Sequence, residues 1–459
     1  TKNCGPTFPV KEVASGFLPY IHHTFGGIFR PVELVDAAPD LEPPAPPCRI
    51  RVEEGRVFAD GEPMYVRGIL TWGWYPETSS PHPSLEVIER ELDQIQAMGF
   101  NLVKFCLWLP PHAYLEALDR RGMWAWIELP IWLPDPAHLD AMRDEALRIV
   151  AQYRQHSCIL AWTAGCELSE GVDPQWRAQL VDEIRRLTGS HPLVKDNSGG
   201  AEMYCGHPAE FGTFEDFHPY CDTPYFSRVL ECLAPGPREK RPTFLGETND
   251  YDAFRPLHEW KDNPPYWASA DPDLNDQGVR WQHDLPGILD RCQGELGEWL
   301  RERADRLLAS SLSQSAWMRQ QAFDAMRMSA WLDGWVLTGH RHTPISSAGV
   351  VDDAGEMVYP VETVRQWTAN TSLLLVPRRT PPWVDGGNRP GWEHPTVRFA
   401  GPCLFQVAVH SVADLTGSLC WSLAGQGACV EDVSVRALEA RMVGTFVVDL
   451  APGQYELRC

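Results

Sequence analysis

The sequence predicts an α/β protein whose main domain is a (β/α)8 TIM barrel, with a β segment before it and an antiparallel β-sandwich after it. Three observations lead to this fold class. Short apolar runs alternate with amphipathic stretches over residues 49–376, as expected of βα units around a parallel sheet. There are eight such runs, and the region is long enough for a barrel of about 250 residues with an insertion. From residue 377 the pattern changes to alternating strands.

The N-terminal part of the chain is expected to lie outside the barrel. Residues 1–35 contain HTFGGIFRPVELV, which predicts one or two strands, too few to fold alone. Residues 36–48 are rich in Pro and Ala, a composition typical of a stiff linker, so a domain boundary is expected here. The chain begins with Thr1 and shows no signal-peptide pattern, so we expect either no leader or a fragment of a longer protein, and the compartment stays open between cytoplasmic and secreted.

The predicted barrel strands are short apolar runs rich in β-branched and aromatic residues. They lie at residues 64–72, 101–109, 124–132, 157–165, 192–198, 216–220, 242–247 and 333–339. Between them, segments such as LEVIERELDQIQAMG at 85–99 repeat apolar residues every three or four positions and stop at Gly99, which predicts amphipathic helices. Residues 255–312 predict an insertion at the mouth of the barrel, and residues 377–459 a C-terminal β-sandwich.

The composition excludes some classes of partner. Lys and Arg total 40 against 62 Asp and Glu, a net charge of −22 that would repel nucleic acid. No apolar run reaches the roughly 18 residues that a membrane-spanning helix needs. The 13 cysteines contain no CxxC pair and no regular spacing, so mostly free, buried thiols are expected.

Two acidic residues stand at the ends of predicted buried strands. AWTAGCELSEG at 161–171 carries Glu167 after the fourth strand, and PTFLGETNDYDAF at 242–254 carries Glu247 at the end of the seventh. A carboxylate in such a position is costly unless it is solvated, paired or used. Because catalytic groups of a (β/α)8 barrel lie at the C-terminal ends of its strands, we expect the two acids to face each other across the mouth.

Paired carboxylates suit the hydrolysis of a glycosidic bond. One carboxylic acid protonates the leaving oxygen, and the other carboxylate attacks the anomeric carbon or directs a water. A retaining enzyme holds the carboxyl groups about 5–5.5 Å apart and an inverting one about 6.5–9.5 Å apart. Since sequence does not measure this distance, both mechanisms remain open at this point.

The order of the motifs resembles glycoside hydrolase family 2, whose members are retaining glycosidases of clan A with a (β/α)8 barrel. The resemblance covers most of residues 25–350. It rests on the two strand-end acids and on four segments: GGIFR at 26–30, FADGEPMYVRGI at 58–69, GMWAWIELP at 122–130 and HPY at 218–220. It implies that residues 1–35 are the end of an N-terminal sugar-binding β-sandwich, a partial jelly roll. No cofactor is expected.

The resemblance assigns the acid/base role to Glu167 and the nucleophile role to Glu247, and two residues depart from the family pattern. Lys104 stands on the second strand where the family usually has Arg, so it supplies a point charge rather than a bidentate fork. Cys166 replaces the Asn that contacts the sugar 2-hydroxyl, and a thiol is a weak donor. Either another group, such as His112 or Asn197, makes this contact, or the substrate differs at that carbon.

Six further residues are candidates for substrate binding or support. Glu128 could orient Lys104 or touch substrate, and a structural ion pair is equally consistent. His218 and Tyr220 are expected to hydrogen-bond the nucleophile and the sugar, with a barrel-top network as the alternative. Trp72 and Trp74 are expected at the rim of the sugar pocket, because indole faces stack on sugar rings. Trp335 could floor the subsite or belong to the core.

His340 and His342, two apart in GHRHT, raise the possibility of a metal site. Metal-dependent hydrolase barrels usually carry such a pair on the first strand with further ligands downstream. The first predicted strand here runs into GILTWGW, which has no histidine, so no metal is expected.

The sequence therefore predicts a retaining O-glycosyl hydrolase of carbohydrate metabolism. Its expected substrate is a small β-linked glycoside such as a galactoside, glucuronide or mannoside. A degenerate barrel that binds carbohydrate without cleaving it is the alternative, motivated by Lys104 and Cys166. The two readings differ in whether a mechanism-based covalent trap labels the protein.

Overall fold

The computed structural model describes most of the barrel and much of the C-terminal part. It covers residues 32, 47–75, 81–132, 134, 136–168, 172–199, 211–234, 241–256, 294–343, 346–376, 378–380, 383–384, 387–388, 391–393, 403–451, 453 and 455–459. The strands predicted in residues 1–35 lie outside the described residues. Residues 257–293 of the predicted insertion lie outside them as well.

A small antiparallel sheet precedes the barrel. Its strands are β1 (Ile50–Glu53), β2 (Arg56–Ala59) and β3 (Glu62–Pro63). Arg56 joins this sheet to the barrel through the Leu332 carbonyl, 3.2 Å from Nη1, and the Asp333 carboxylate, 3.3 Å away.

All eight predicted barrel strands are confirmed. They are β4 (Val66–Thr71), β5 (Leu102–Phe105), β6 (Trp124–Glu128), β7 (Ile159–Thr163), β8 (Val194–Lys195), β9 (Glu215–Phe217), β10 (Thr243–Thr248) and β11 (Gly334–Leu337). They pair in parallel in the order β8-β7-β6-β5-β4-β11-β10-β9. The two outer strands of this order approach each other as well, since Thr213 N donates to the Val194 carbonyl at 3.0 Å. The sheet is therefore a nearly closed barrel.

The helices follow the amphipathic stretches. They are α1 (Leu85–Ala97), α2 (His112–Arg121), α3 (Leu139–Tyr153), α4 (Pro174–Leu187), α5 (Thr223–Leu233), α6 (Gly294–Met328) and α7 (Val361–Thr368). In α1, Ser84 caps the first turn by accepting from Val87 N at 3.3 Å. Gly99 then takes φ +85°, a left-handed conformation that ends the helix where the sequence predicts.

The core consists of two layers. Inside the barrel, Trp126 lies edge-on to Phe214 and Phe244, with centroids 5.4 and 5.7 Å away. Ile50 and Val57 of the small sheet join this interior cluster. The second layer packs the strands against the helices and includes Ile88, Leu92, Val103, Leu118, Ile127 and Phe323. Because side chains fill the described part of the barrel interior, a ligand site is expected at the mouth.

The C-terminal part forms antiparallel sheets, as predicted. Its strands are β12 (Thr371–Leu375), β13 (Arg378–Thr380), β14 (Trp383–Val384), β15 (Gly387–Asn388), β16 (Gly391–Glu393), β17 (Cys403–Ser411), β18 (Leu415–Leu423), β19 (Gln426–Val435), β20 (Glu439–Val448) and β21 (Leu457–Arg458). The main sheets are β12-β17-β20 and β19-β18-β21. Cys420 and Cys429 stand opposite each other on β18 and β19 and form a disulfide, which irregular cysteine spacing did not predict. In the described residues, no helix has the length and apolarity to cross a bilayer.

Candidate active site

The carboxyl ends of five barrel strands bring polar side chains to one place. Glu128 is the last residue of β6, Glu247 lies in β10, and Lys104 lies in β5. His218 follows β9 directly, and Glu167 follows β7 after a short turn. Because the strands are parallel, these positions meet at the same end of the barrel.

His218 lies between the two acids predicted to be catalytic. Its Nδ1 is 2.9 Å from Glu167 Oε1 and 3.8 Å from Glu247 Oε2. One oxygen of each carboxylate and one nitrogen of His218 all lie within 4.8 Å of one another. The two acids therefore share one small hollow, although they come from strands eighty positions apart in the sequence.

The backbone holds Glu167 in an uncommon conformation. Glu167 has φ +45°, in the left-handed region that non-glycine residues rarely adopt. Its N–H donates to the Ser198 carbonyl, and the N–H of Cys166 donates to the Ile131 carbonyl, both at 2.9 Å. These bonds to neighbouring loops offset a conformational cost on the order of 1–3 kcal/mol and aim the carboxylate at the mouth.

Glu247 is buried and surrounded by donors. Tyr220 donates its hydroxyl hydrogen to Oε2 at 2.5 Å, and Lys104 Nζ lies 3.6 Å from Oε1. Two thiols, Cys106 and Cys166, lie 3.7 and 4.0 Å from the same Oε1. Burial raises the pKa of Glu247, while the charges of His218 and Lys104 act to lower it. The two cations thus favour the ionised form against the cost of desolvation.

Lys104 is fully buried beneath Glu247. Its Nζ donates to Ser198 Oγ at 2.7 Å and to the Gly246 carbonyl at 3.2 Å, and it lies 2.9 Å from Glu128 Oε2. Burial acts to lower the pKa of Lys104, but Glu128, Glu247 and Asp216 outweigh it and raise the pKa well above its usual value. Lys104 is therefore an ammonium ion, and Glu128 is the carboxylate closest to it, an arrangement consistent with a structural ion pair.

Sequence reasoning missed Ser198 and Asp216, which support the site from below. Asp216 Oδ1 accepts from Gly246 N, and Oδ2 accepts from Ser198 Oγ, both at 2.7 Å. Ser198 Oγ also lies 3.1 Å from His218 Nε2. Ser198 closes the fifth predicted strand, so the strand-end rule could have found it. Asp216 opens the sixth predicted strand, a position that the rule excludes.

His218 is a cation at neutral pH. Burial and the charge of Lys104 lower the pKa of His218. The charges of Glu247 and Asp216 and the hydrogen bond to Glu167 raise it more, so the pKa is about 9. The imidazolium therefore donates Nδ1–H to Glu167. The pair of Glu167 and His218 holds one proton next to the hollow.

The three candidate tryptophans differ in position. Trp72 is half-buried and lies against Gly339, where an added Cβ would be 2.6 Å from its ring. Trp74 is 4% exposed, and its carbonyl lies 3.5 Å from Arg341 Nη1. Because Trp74 is buried, its ring does not form an exposed rim of the mouth.

Trp335 needs a correction, because the structure places it in the core. It is fully buried in the layer between strands and helices, 4.4 Å from the ring of Phe323 and 6.2 Å from that of Phe100. An inward-facing neighbour, Val336, belongs to the barrel interior instead. Successive residues of a strand point to opposite sides, so Trp335 turns away from the mouth.

Both residues offered as substitutes for the missing Asn already make hydrogen bonds within the protein. The amide of Asn197 accepts from Leu168 N at 2.8 Å and donates to the Gly199 carbonyl at 2.7 Å. His112 lies 2.8 Å from His156 and stacks on Tyr153. Closer to the two acids, Tyr220 hydrogen-bonds Glu247, and His218 lies within 4 Å of both Glu167 and Glu247.

Two groups of side chains could hold a metal ion within the described ranges. One is Cys106, Glu128, Cys166 and Glu247, and the other is Glu167, His218 and Glu247. His340 and His342 belong to neither group. Both histidines are buried, and burial lowers their pKa values to about 3.

Comparisons with known proteins bear on the fold of the chain. No family model matches the chain. A β-galactosidase of Pectobacterium atrosepticum is 24% identical over 214 residues, which are 43% of this chain and 20% of that protein. The β-D-mannosidase of Dictyoglomus thermophilum superposes with a TM-score of 0.58 at 11% identity, over 88% of this chain and 49% of that one. A family 2 β-galacturonidase of Eisenbergiella tayi gives 0.51 at 12% identity, over 70% of this chain and 54% of that one.

These solved glycosidases share the (β/α)8 barrel fold of this chain. The predicted resemblance to glycoside hydrolase family 2 is confirmed, and the relatives are O-glycosyl hydrolases, in agreement with the predicted enzyme class. This chain spans about half the length of those solved structures and about a fifth of the β-galactosidase.

Proposed function

We propose that this chain is a retaining β-glycosidase that cleaves a small β-linked glycoside, such as a galactoside, glucuronide or mannoside, by double displacement. Relatives with names of this kind support the reaction class. The observation that carries the mechanism is the approach of one oxygen of Glu167 and one of Glu247 to within 4.8 Å. Oxygens this close fit the carboxyl separation of about 5–5.5 Å in retaining enzymes better than the about 6.5–9.5 Å of inverting ones.

In this proposal Glu247 is the nucleophile. It attacks the anomeric carbon, the bond to the leaving oxygen breaks, and a covalent glycosyl ester forms. Lys104 and the hydroxyl of Tyr220 stabilise the carboxylate before the attack. Water then releases the sugar with a second inversion, so the product keeps the β configuration.

Glu167 delivers the proton to the leaving oxygen and later removes one from the incoming water. A general acid must hold a proton near neutral pH. The resting proton lies on the His218 imidazolium, whose Nδ1 is 2.9 Å from Glu167 Oε1. Transfer along this hydrogen bond as the leaving oxygen becomes basic supplies the acid, with the two side chains acting as one coupled pair.

Paired substitutions and azide test the two roles. In Glu247→Ala, turnover of aryl β-glycosides should fall roughly 10⁴-fold or more, and azide should restore it with an α-glycosyl azide as product. In Glu167→Ala, aryl glycosides with good leaving groups should still form the covalent intermediate, and azide should give the β-glycosyl azide. The opposite pattern would exchange the roles, and full activity in either variant would discard the pair.

Wild-type protein distinguishes the enzyme from a carbohydrate-binding barrel. NMR of the first-formed sugar should show retention, and a mechanism-based fluoroglycoside should label Glu247, as peptide mass spectrometry would show. Asp182→Asn, on the exposed side of α4, is a control for handling and should retain full activity. Glycan binding without labelling or turnover across a panel of galactosides, mannosides and glucuronides would favour the non-catalytic alternative.

A further inference from the structure

The nucleophile has a second set of neighbours that the proposed hydrolysis does not use. Cys106, Glu128, Cys166 and Glu247 each offer one ligand atom, and the four atoms lie within 4.8 Å of one another. The two sulfurs are 3.7 and 4.0 Å from Glu247 Oε1. In a tetrahedral zinc site, with bonds of about 2.3 Å to sulfur and about 2.0–2.2 Å to oxygen, neighbouring ligand atoms lie roughly 3.5 Å apart. Small side-chain movements would therefore close this set around an ion.

Glu128 gives an independent sign that a ligand belongs here. The side chain is fully buried, and among the described residues its Oε1 accepts no hydrogen bond. Its Oε2 lies 2.9 Å from Lys104 Nζ. A buried carboxylate oxygen without a donor is costly, and a cation would satisfy it.

The kind of donor favours zinc over the harder cations. Magnesium and calcium prefer sets made only of oxygen, whereas two thiolates with two carboxylates suit Zn²⁺. The charge of Lys104 opposes a second cation, but Glu128 can keep Lys104 on one oxygen and bind the ion with the other. Such a contact from outside the ligand set is typical of metal sites.

We propose that Cys106, Glu128, Cys166 and Glu247 bind one Zn²⁺ ion, and that the bound ion blocks the nucleophile. Each thiol gives up its proton to solvent as its sulfur binds. Burial raises the pKa of Cys106, and the hydrogen bond with Cys106 together with burial raises the pKa of Cys166, so the ion must displace both protons. Zinc binding stands on the geometry alone, whereas inhibition rests on the proposed glycosidase function.

Cobalt tests the binding without any activity measurement. Metal-free full chain titrated with Co²⁺ should develop a sulfur-to-cobalt charge-transfer band that saturates at one equivalent and disappears when Zn²⁺ is added. Cys106→Ser and Cys166→Asn should each weaken binding at least about 100-fold, since even loss of an outer contact costs 10–100-fold. Cys158→Ser is the matched control, because that buried thiol bonds the Leu115 carbonyl away from the site and the band should persist. A band that survives in both Cys106→Ser and Cys166→Asn would overturn the proposal.

Wild-type protein gives a second readout in case a variant fails to fold. Zn²⁺ should slow alkylation of Cys106 and Cys166 at least tenfold and leave exposed Cys232 unaffected, as measured by peptide mass spectrometry. Equal rates with and without Zn²⁺ at the two buried thiols would refute the site. If the cobalt band appears and no β-glycoside is cleaved, the metal site stands and the glycosidase proposal falls. If hydrolysis proceeds and no band appears, the reverse holds.

Discussion

At the scale of single residues, the candidate site depends on a buried lysine. Lys104 lies 2.9 Å from Glu128 and 3.6 Å from Glu247. All three side chains are buried, so solvent screens these charges little. Lysine cannot offer the planar fork of arginine, so it binds these groups one hydrogen at a time. Ser198 and the Gly246 carbonyl accept its remaining hydrogens and hold the ammonium in place.

Replacing Lys104 by Met should destabilise the protein and change its pH profile. An uncompensated buried carboxylate costs about 3–5 kcal/mol, which urea unfolding would measure. Lys104 lowers the pKa of Glu247, so its removal should raise that pKa and move the acidic limb of kcat/KM to higher pH.

The double variant Lys104→Met with Glu128→Gln is the control for this prediction. It removes both charges of the closest pair, so it should recover much of the lost free energy of unfolding. Unfolding of the single variant at wild-type urea concentrations would contradict the expectation.

At the scale of elements, β10 is held against β9 by a side chain as well as by the sheet. Asp216 of β9 accepts from Gly246 N, directly before Glu247. A Cβ on Gly246 would lie 2.2 Å from Asp216 Oδ1, closer than any real contact. Glycine is therefore required at 246 by the close approach of the carboxylate, and this contact sets where Glu247 emerges.

Gly246→Ala should displace Glu247 and lower kcat by roughly 100-fold, since a shift of about 1 Å at the reacting group has effects of this size. The barrel fold should persist, with a stability loss of about 1–3 kcal/mol from overpacking. Gly417→Ala in β18, where nothing lies within 4 Å of the added carbon, is the matched control. Equal kcat in Gly246→Ala and wild type would refute the positioning role.

At the scale of the whole molecule, burial of histidines makes stability depend on pH. Burial lowers the pKa of His191 to about 4 and those of His340, His342 and His410 to about 3, against 6.5 in the unfolded chain. Their contribution is present above pH 6.5 and is lost as the pH falls toward these values. His218 acts at the other end, because its pKa is raised to about 9 and its contribution is lost as the pH rises through 9. The free energy of unfolding should therefore fall on the acidic side, where the buried histidines become protonated in the unfolded chain, and on the basic side, as the pH rises through 9.

Urea unfolding at pH 7 and pH 5 should show a lower free energy of unfolding at pH 5. Each buried neutral histidine contributes roughly 1.4 kcal/mol per pH unit in this range. Asp250 and Asp333, with pKa values raised to about 6 by burial, act in the opposite direction and reduce the net slope. His410→Gln should make the dependence shallower, and a free energy that increases from pH 7 to pH 5 would contradict the account.

The eight strands and the helix α1 could be predicted because their patterns are local. An apolar run of five residues or a repeat every three to four positions depends only on neighbours in the chain. The strand-end rule also found Glu128, His218 and Tyr220 for the same reason. Trp335 was ambiguous, because its large apolar side chain suits either face of a barrel strand and only the pairing of β11 decides which face it takes.

The sequence alone determined the order of the strands and the two acids at their ends. Both are visible as apolar runs separated by polar and turn-forming residues. Which side chains then meet was decided by barrel closure: Ser198 reaches Asp216, and two thiols reach Glu247, because parallel strands in one register bring distant positions together. Contacts of this kind join residues far apart in sequence, so no local periodicity contains them.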